Sequence, residues 1–253
     1  MSLIVIENRG KLRIIRFNNA KRRNAISPEA YFDLTQALQD ADKDDSVSVV
    51  AITGSGNFYS SGNDIKAAMM SSATNEERVK VIGDLVRAFY TCRKILIAVV
   101  NGPAIGIAAT TAALCDIIYA EENAYFYTPF SALGICAEGC SSYTFPKILG
   151  RTKASEMLLL NHKLTAQEAL RFNFVSNIFT IDKIDSVWAK IDEFARLPQQ
   201  SLMITKSLVQ KFAIDQLDAA NNDELEALKE RFTSEDCMNA AMEFLQKKER
   251  SSL

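Results

Sequence analysis

The chain of 253 residues is 48% hydrophobic and carries a formal net charge of −2 at pH 7, which suits one globular domain with an ample core. Its charges are interspersed rather than grouped in long blocks, which argues against a protein that binds a nucleic-acid backbone. No apolar run approaches the length of a membrane span. The five cysteines show no CxxC spacing, and free thiols in a reducing compartment are the simplest interpretation.

The first part of the chain predicts a hairpin followed by alternating strands and helices. Strand patterns at residues 3–6 and 11–17 flank a turn at 7–10, and neither a signal peptide nor a transit peptide is apparent. Ser27 and Pro28 predict the N-cap and first turn of a helix that runs to about residue 40. Strands and helices then alternate to about residue 179, which is typical of parallel βαβ units.

The last part of the chain has a helical pattern only. Helices are predicted at residues 187–195, 201–212, 217–232 and 237–247, with a break at Leu197-Pro198. We therefore divide the chain into a core of residues 1–185 and a helical region of residues 186–253. We expect the helical region to pack on the core or on a neighbouring subunit.

Two loops of the same type follow two of the predicted strands. The apolar strand at residues 95–100 ends in the turn Asn101-Gly-Pro-Ala-Ile-Gly106, and the strand at residues 47–53 ends in a glycine-rich turn before a helix that begins at Ile65. The first N–H groups of a helix lack a partner within the helix, and the helix dipole there favours negative charge. Glycines also let the backbone approach a ligand closely. The two loops therefore predict an oxyanion hole to which each contributes one N–H group.

Four segments resemble, in order and spacing, the crotonase (enoyl-CoA hydratase/isomerase) superfamily. They are Ser60-Ser-Gly-Asn-Asp-Ile65, Asn101-Gly-Pro-Ala-Ile-Gly106, Cys115-Asp-Ile-Ile-Tyr-Ala120 and Thr128-Pro-Phe130. The resemblance covers nearly the whole chain. It implies an α/β, crotonase-like fold of repeated ββα units, with residues 1–185 as the crotonase core and a C-terminal helical region that contributes to a trimer interface. Within the superfamily, Glu138-Gly-Cys-Ser-Ser-Tyr-Thr-Phe-Pro-Lys147 is most similar to the peroxisomal-type Δ3,Δ2-enoyl-CoA isomerases.

Glu138 is the candidate catalytic residue. The residues around it, 134–140, are mostly apolar or small, so its carboxylate should be partly dehydrated and its pKa raised. From the residues alone, the alternative is a solvated loop glutamate before a helix capped around Ser141. The resemblance implies that a glutamate at this position is the single proton shuttle. The two positions at which hydratases of the superfamily carry glutamates hold Thr110 and Phe130, neither of which is a general base at neutral pH.

The resemblance implies an isomerase that moves the double bond of 3-enoyl-CoA to give 2-trans-enoyl-CoA in unsaturated fatty acid β-oxidation. The backbone N–H groups of Ser61 and Ile107 would hold the thioester oxygen, while Glu138 takes a proton from C2 and returns it at C4. No cofactor is expected, because CoA is part of the substrate. His162 is the only histidine and has no clustered Cys or Asp partners, so no metal site is predicted.

Binding of the acyl-CoA is assigned by resemblance to the basic turn at residues 21–23, to the loop at residues 60–65 and to the pocket beside them. The assigned residues are Arg22, Arg23, Ser60, Gly62, Asn63, Asp64, Ile65, Gly106 and Phe130. The arginines could meet the CoA phosphates, although a solvated basic turn is the alternative interpretation. Asp64 is expected to cap a helix rather than to contact the ligand with its carboxylate.

Two other classes of function stay open. One is a crotonase-fold acyl-CoA binding module with weak or no catalysis, as in chromodomain-associated relatives that share the motif after Glu138 but typically lack that glutamate. The other is a different crotonase-fold acyl-CoA enzyme, such as a hydratase or thioesterase, which Thr110 and Phe130 disfavour.

The chain ends in Ser-Ser-Leu at residues 251–253, which resembles the Ser-Lys-Leu peroxisomal address. Ser252 replaces the usual basic middle residue, and the basic residues within 247–250 compensate in part. We expect recognition by the peroxisomal import receptor, with a frayed polar terminus and a cytosolic location as the alternative. The resemblance also implies a homotrimer and leaves open whether trimers pair into hexamers.

Overall fold

The computed structural model describes residues 2–250, except the side chains of residues 244, 245 and 247–250. The strands are β1 (Ile4–Arg9), β2 (Leu12–Phe17), β3 (Val49–Gly54), β4 (Ile95–Val100), β5 (Ala104–Ile105), β6 (Ile117–Glu121), β7 (Tyr125–Tyr127), β8 (Leu164–Thr165) and β9 (Asn177–Phe179). The α-helices are α1 (Pro28–Lys43), α2 (Ile65–Met70), α3 (Asn75–Thr91), α4 (Ile107–Ala112), α5 (Ser141–Leu149), α6 (Arg151–Leu158), α7 (Ala166–Arg171), α8 (Ile184–Ala195), α9 (Gln199–Gln210), α10 (Ile214–Arg231) and α11 (Glu235–Arg250).

The main sheet has six strands in the order β1-β2-β3-β4-β6-β9. Strands β1 and β2 form the predicted antiparallel hairpin, and every other neighbouring pair is parallel. Strands β3 and β4 are buried on both faces, which explains why their sequences are continuous apolar runs rather than alternating ones. The predicted hairpin and the predicted parallel units are both confirmed.

The two faces of the main sheet contribute to two different apolar clusters. Val49 and Ala51 of β3 pack with Ile191 of α8 on one face. The alternate residues Val50 and Ile52 belong to the larger cluster on the other face, which includes α1, α3 and α4. The sheet is therefore a middle layer, and its period-two alternation assigns each side chain to one layer of helices.

Helix α1 begins as its sequence predicts. Ser27 is its N-cap, the Ala30 N–H donates to Ser27 Oγ at 3.4 Å, and Pro28 occupies the first turn. The helix extends to Lys43 and buries a face that includes Tyr31. This face brings the Tyr31 hydroxyl toward the loop that follows β3.

The C-terminal helices are joined to the rest of the chain mainly through α10, which packs on α3 and α5. Helix α9 instead leaves several apolar side chains exposed, among them Leu208 and Val209. None of the helices in the described part of the chain is both long enough and apolar enough to cross a membrane.

Candidate active site

The loops after β3 and β4 lie against each other, as the sequence predicts. The Ser60 N–H donates to the Pro103 carbonyl at 3.2 Å, and the Ile105 N–H donates to the Ser60 carbonyl at 3.0 Å. Gly62 has a φ of +75°, and a Cβ at this position would lie 2.4 Å from the Ile105 oxygen. Only glycine allows this approach of the two backbones.

The two predicted oxyanion donors differ in the structure. Ile107 is the first residue of α4, and none of the described residues accepts a hydrogen bond from its N–H group. The Ser61 N–H, however, donates to the Arg23 carbonyl at 2.9 Å. Arg23 and Asn24 both have a φ of 55°, and this turn directs the Arg23 carbonyl at the loop. In this structure the Ile107 N–H is therefore free of partners among the described residues and the Ser61 N–H is occupied, and the assignment of both groups to an oxyanion hole stays a prediction.

Glu138 lies against the N-terminus of α4. A Cβ placed on Gly106 would be 3.9 Å from Glu138 Oε1. The side chain is only 2% exposed, and Oε2 has no hydrogen-bond partner among the described residues. The carboxylate is thus buried beside the unpaired Ile107 N–H, and the alternative of a solvated loop glutamate is wrong.

Burial raises the pKa of Glu138 to about 8, and the charge of Glu224 contributes in the same direction. The side-chain amide of Asn63 opposes this shift, because an amide N–H near a carboxylate favours its charged form. The predicted direction of the pKa shift is confirmed. A carboxyl group with this pKa can both accept and return a proton near neutral pH.

Asn63 is itself held by Tyr31. The Tyr31 hydroxyl donates to Asn63 Oδ1, which leaves the Asn63 amide N–H groups for Glu138. Burial and the nearby Glu138 charge raise the pKa of Tyr31 well above 10, so the phenol stays a donor. Tyr31, Asn63 and Glu138 therefore form a short chain of polar groups at the site.

The turn after Glu138 begins α5 in a way that differs from the prediction. Ser141 does not cap the helix, because its Oγ donates back to the Glu138 carbonyl at 2.8 Å and Cys140 occupies the N-cap position. The cap comes from α10 instead. The Cys140 and Ser142 N–H groups donate to Glu224 Oε2 and Oε1 at 2.7 and 2.8 Å. The physical reason is that a carboxylate accepts from two N–H groups, whereas a serine hydroxyl at this position turns inward.

The residues assigned to CoA binding lie at the edge of the same loop. Asp64 is the N-cap of α2, which begins at Ile65, and accepts from the Ala67 N–H at 3.1 Å, as predicted. Arg22 pairs with Asp64 at 3.0 Å, and Arg23 lies over the Phe58 ring at 5.3 Å. Both arginines therefore have protein partners in this structure.

Thr110 and Phe130, which the resemblance places at the glutamate positions of hydratases, are both buried. Thr110 Oγ1 donates to the Ile107 carbonyl at 3.2 Å. A Cβ on Gly139 would lie 2.2 Å from Thr110 Oγ1. Phe130 is 2% exposed. Among the residues described, no group of three His, Cys, Asp or Glu side chains could hold a metal ion.

The sequence reasoning missed Glu224 and Tyr31. On α10, the buried positions are Leu217, Asn221, Glu224 and Leu228. Two polar residues on an otherwise apolar helix face are a signal that each has a buried partner. Nothing in the spacing identifies that partner, because it lies in a distant loop.

The fold and the site define a crotonase-fold protein. The structure superposes with a TM-score of 0.90 on the crystal structure of enoyl-CoA hydratase/isomerase from Pseudoalteromonas atlantica T6c, at 26% identity over 97% of this chain and 98% of that chain. Residues 7–251 match the enoyl-CoA hydratase/isomerase family. The chain belongs to this family, as its motifs predict.

Its curated relatives include enoyl-CoA isomerases. The chain is 42% identical over 253 residues to enoyl-CoA delta isomerase 2 of Homo sapiens, which covers 98% of this chain and 64% of that protein. It is 38% identical over 255 residues to the peroxisomal enoyl-CoA delta isomerase 3 of Mus musculus, which covers 99% of this chain and 80% of that protein. The chain thus spans less than two thirds of the human relative's length.

Proposed function

We propose that this protein is a Δ3,Δ2-enoyl-CoA isomerase with Glu138 as its only catalytic acid–base group. The observation that carries the proposal is the buried carboxyl group of Glu138, whose pKa is raised to about 8, beside the N–H of Ile107, which has no partner among the described residues. The names of the two isomerase relatives support the same activity.

The proposed reaction begins with the thioester oxygen of a 3-enoyl-CoA at the N-terminus of α4. Glu138 removes a proton from C2, and the electron pair of that C–H bond delocalises into a dienolate. The Ile107 N–H holds the negative oxygen. Glu138 then gives the proton to C4, and the double bond moves to the 2,3 position. The substrate and product are isomers, so no water or cofactor is consumed.

The second oxyanion donor requires a rearrangement. Ser61 can donate to the thioester oxygen only after its hydrogen bond to the Arg23 carbonyl is exchanged. One missing donor typically costs about 10²–10³ in rate. The second donor therefore stabilises the transition state by more than the exchange of one backbone hydrogen bond destabilises the loop. Release of Arg22 from Asp64 would likewise free a cation for the CoA phosphates, because the Arg22 side chain is 47% exposed.

A direct assay with two substrates tests the proposal against its alternatives. We expect turnover of 3-enoyl-CoA to 2-enoyl-CoA and negligible loss of enoyl absorbance when 2-enoyl-CoA is supplied, because Thr110 and Phe130 cannot activate water. Water addition at a rate comparable to isomerisation would identify a hydratase. Binding of both thioesters without turnover would identify an acyl-CoA binding module.

We also propose that the protein is a homotrimer whose subunits cover the exposed apolar side chains of the α9 region. Leu208, Val209 and Phe212 are 64%, 77% and 79% exposed. Large apolar side chains grouped in this way are typical of interaction surfaces. Sedimentation equilibrium measures the mass directly, and Val209→Asp should shift the protein toward monomer, whereas Glu122→Gln should not.

A peroxisomal location is proposed from the C-terminal Ser-Ser-Leu, residues that lie outside those the structure describes. The name of the mouse relative gives some support. A fluorescent protein fused ahead of the chain should colocalise with a peroxisomal marker, and deletion of residues 251–253 should release it to the cytosol. Diffuse signal from the intact fusion would contradict this location without affecting the isomerase chemistry.

A further inference from the structure

The loop that carries Glu138, residues 134–142, is held at both ends by helix α10. At the start of the loop, Arg231 Nε donates to the Gly134 carbonyl at 2.8 Å. At its end, the two oxygens of Glu224 accept the N–H groups of Cys140 and Ser142 at 2.7 and 2.8 Å. Glu138 therefore lies on a segment whose two ends are fixed by residues of one distant helix.

The end of this loop has an unusual backbone. Gly139 has a φ of 70° and Cys140 a φ of 59°, and the second is a left-handed conformation in a residue with a Cβ. Helix α5 then starts without a capping side chain of its own. A carboxylate at this point satisfies two N–H groups and is also favoured by the helix dipole. Glu224, which is 6% exposed, thus stabilises a turn that the local sequence leaves unsatisfied.

We propose that Glu224 is a positioning residue for the isomerase reaction, holding the turn at residues 138–142 so that the Glu138 carboxylate faces the N-terminus of α4. The inference rests on the proposed function, since it assigns Glu224 a part in that reaction. Glu224 does not touch the substrate in this scheme. It acts through the backbone of Cys140 and Ser142 and through its charge.

The charge gives Glu224 a second effect that a purely structural cap would lack. Its negative charge raises the pKa of Glu138, in addition to burial. The other ionisable or charged groups around this pair are Tyr31 from α1, Cys136 and Cys140 from the loop, and Asp218 and Arg231 from α10. The phenol and both thiols have raised pKa values, so they stay neutral across an assay at neutral pH.

Two variants separate the effect of the side-chain length of Glu224 from the effect of its charge. Glu224→Gln keeps the length but removes the charge and one acceptor, so the acid limb of the kcat/KM profile should move down by about half a pH unit or more. Its kcat should fall between about 10- and 100-fold, because small displacements of a catalytic group are costly. Glu224→Asp keeps the charge but is one methylene shorter, so kcat should fall while the acid limb stays near its wild-type position.

Glu226→Gln is the matched control, because it removes an exposed carboxylate from the same helix. It should leave kcat and the pH profile unchanged. The proposal is overturned if Glu224→Gln overlays wild type in both measurements. It is also overturned if the Glu224 variants lose activity only in proportion to their folded fraction, with every acid limb unmoved.

A measurement on the unmodified protein applies even where the variants fail to fold. Amide hydrogen exchange should show the Cys140 and Ser142 N–H groups protected to the level of the α10 amides, and exchange at the rate of free peptide would overturn the proposal. Failure of the proposed function looks different. In that case wild type would not isomerise 3-enoyl-CoA, or Glu138→Gln would retain turnover, whereas failure of the present inference leaves wild type active, Glu138→Gln inactive and the Glu224 variants like wild type.

Discussion

Glu138 and Glu224 are both buried glutamates at one turn, Glu138 within it and Glu224 reaching it from helix α10, but their oxygens are paired very differently. Both oxygens of Glu224 accept backbone N–H groups, whereas Oε2 of Glu138 has no partner among the described residues. Burial raises the pKa of both, and in Glu224 the hydrogen bonds work against that rise. Burial alone therefore does not make a carboxylate a useful base. The unpaired oxygen of Glu138 is what leaves it available for a proton.

The largest expected effect is on kcat, and it follows from a substitution that makes Glu138 as unable to take a proton from the substrate as the fully paired Glu224 is expected to be. Glu138→Gln keeps the volume of the side chain but cannot take a proton, so kcat for 3-enoyl-CoA should fall by about 10²–10⁴. Stopped assays of isomerisation measure the loss, and calorimetry with 2-enoyl-CoA should show that binding is kept. Glu122→Gln, an exposed change, is the control. Turnover like that of wild type in Glu138→Gln would redirect attention to another group in the pocket.

The pH dependence of the wild-type enzyme tests the raised pKa of Glu138. The base must be deprotonated in the free enzyme, so kcat/KM should rise with pH and level off above about 8. An ordinary solvated glutamate would give a profile that is already flat at neutral pH. Initial rates over a range of substrate concentrations at constant ionic strength provide the measurement, with thioester stability checked at each pH.

Stability should show the opposite trend, because a buried charge is costly. The pKa of Glu138 is raised from 4.5 to about 8, so its contribution to stability is present below pH 4.5 and is lost as the pH rises through about 8. Relative to Glu138→Gln, wild type should lose up to about 1.4 kcal/mol of unfolding free energy per pH unit in this window. Urea denaturation at fixed protein concentration measures the difference, and parallel stability curves for the two proteins would contradict the pKa shift.

The smallest expected effect concerns Tyr31, whose hydroxyl donates to Asn63. Tyr31→Phe removes the hydroxyl that orients Asn63, so the amide no longer favours charged Glu138 as strongly. We expect kcat/KM at neutral pH to fall about 3- to 10-fold, the value of one hydrogen bond. The acid limb should move up, opposite to Glu224→Gln. Tyr125→Phe is the control. An unshifted acid limb in Tyr31→Phe would contradict the influence of Asn63 on the pKa of Glu138.

Local sequence signals predicted the frame of the site well. The apolar runs of β3 and β4 and the glycines after them led to two loops that meet, because carboxyl ends of adjacent parallel strands share one edge of a sheet. The raised pKa of Glu138 followed from its apolar neighbours.

What the sequence could not predict depends on long-range contacts or on backbone conformation. The cap from Glu224 lies 84 residues beyond Cys140, and no periodicity connects the two. The Arg23 carbonyl accepts from the Ser61 N–H in a turn where Arg23 and Asn24 both adopt positive φ, a conformation that asparagine favours but that an arginine gives no reason to expect. In both cases the local sequence did not identify the hydrogen-bond partner, which is Glu224 in the first and the Arg23 carbonyl in the second.

The cap supplied by α10 also orders events during synthesis. Synthesis proceeds from the N-terminus, so the strands β1 to β6 are all made before Glu224. A nascent chain that has formed this sheet and the two loops still has a helix α5 with unsatisfied N–H groups and a Glu138 turn without its anchor. The chain therefore completes its strands before the anchor of the Glu138 turn is made, and a chain stopped short of α10 would lack that anchor together with Leu217 and Leu228 of the apolar core.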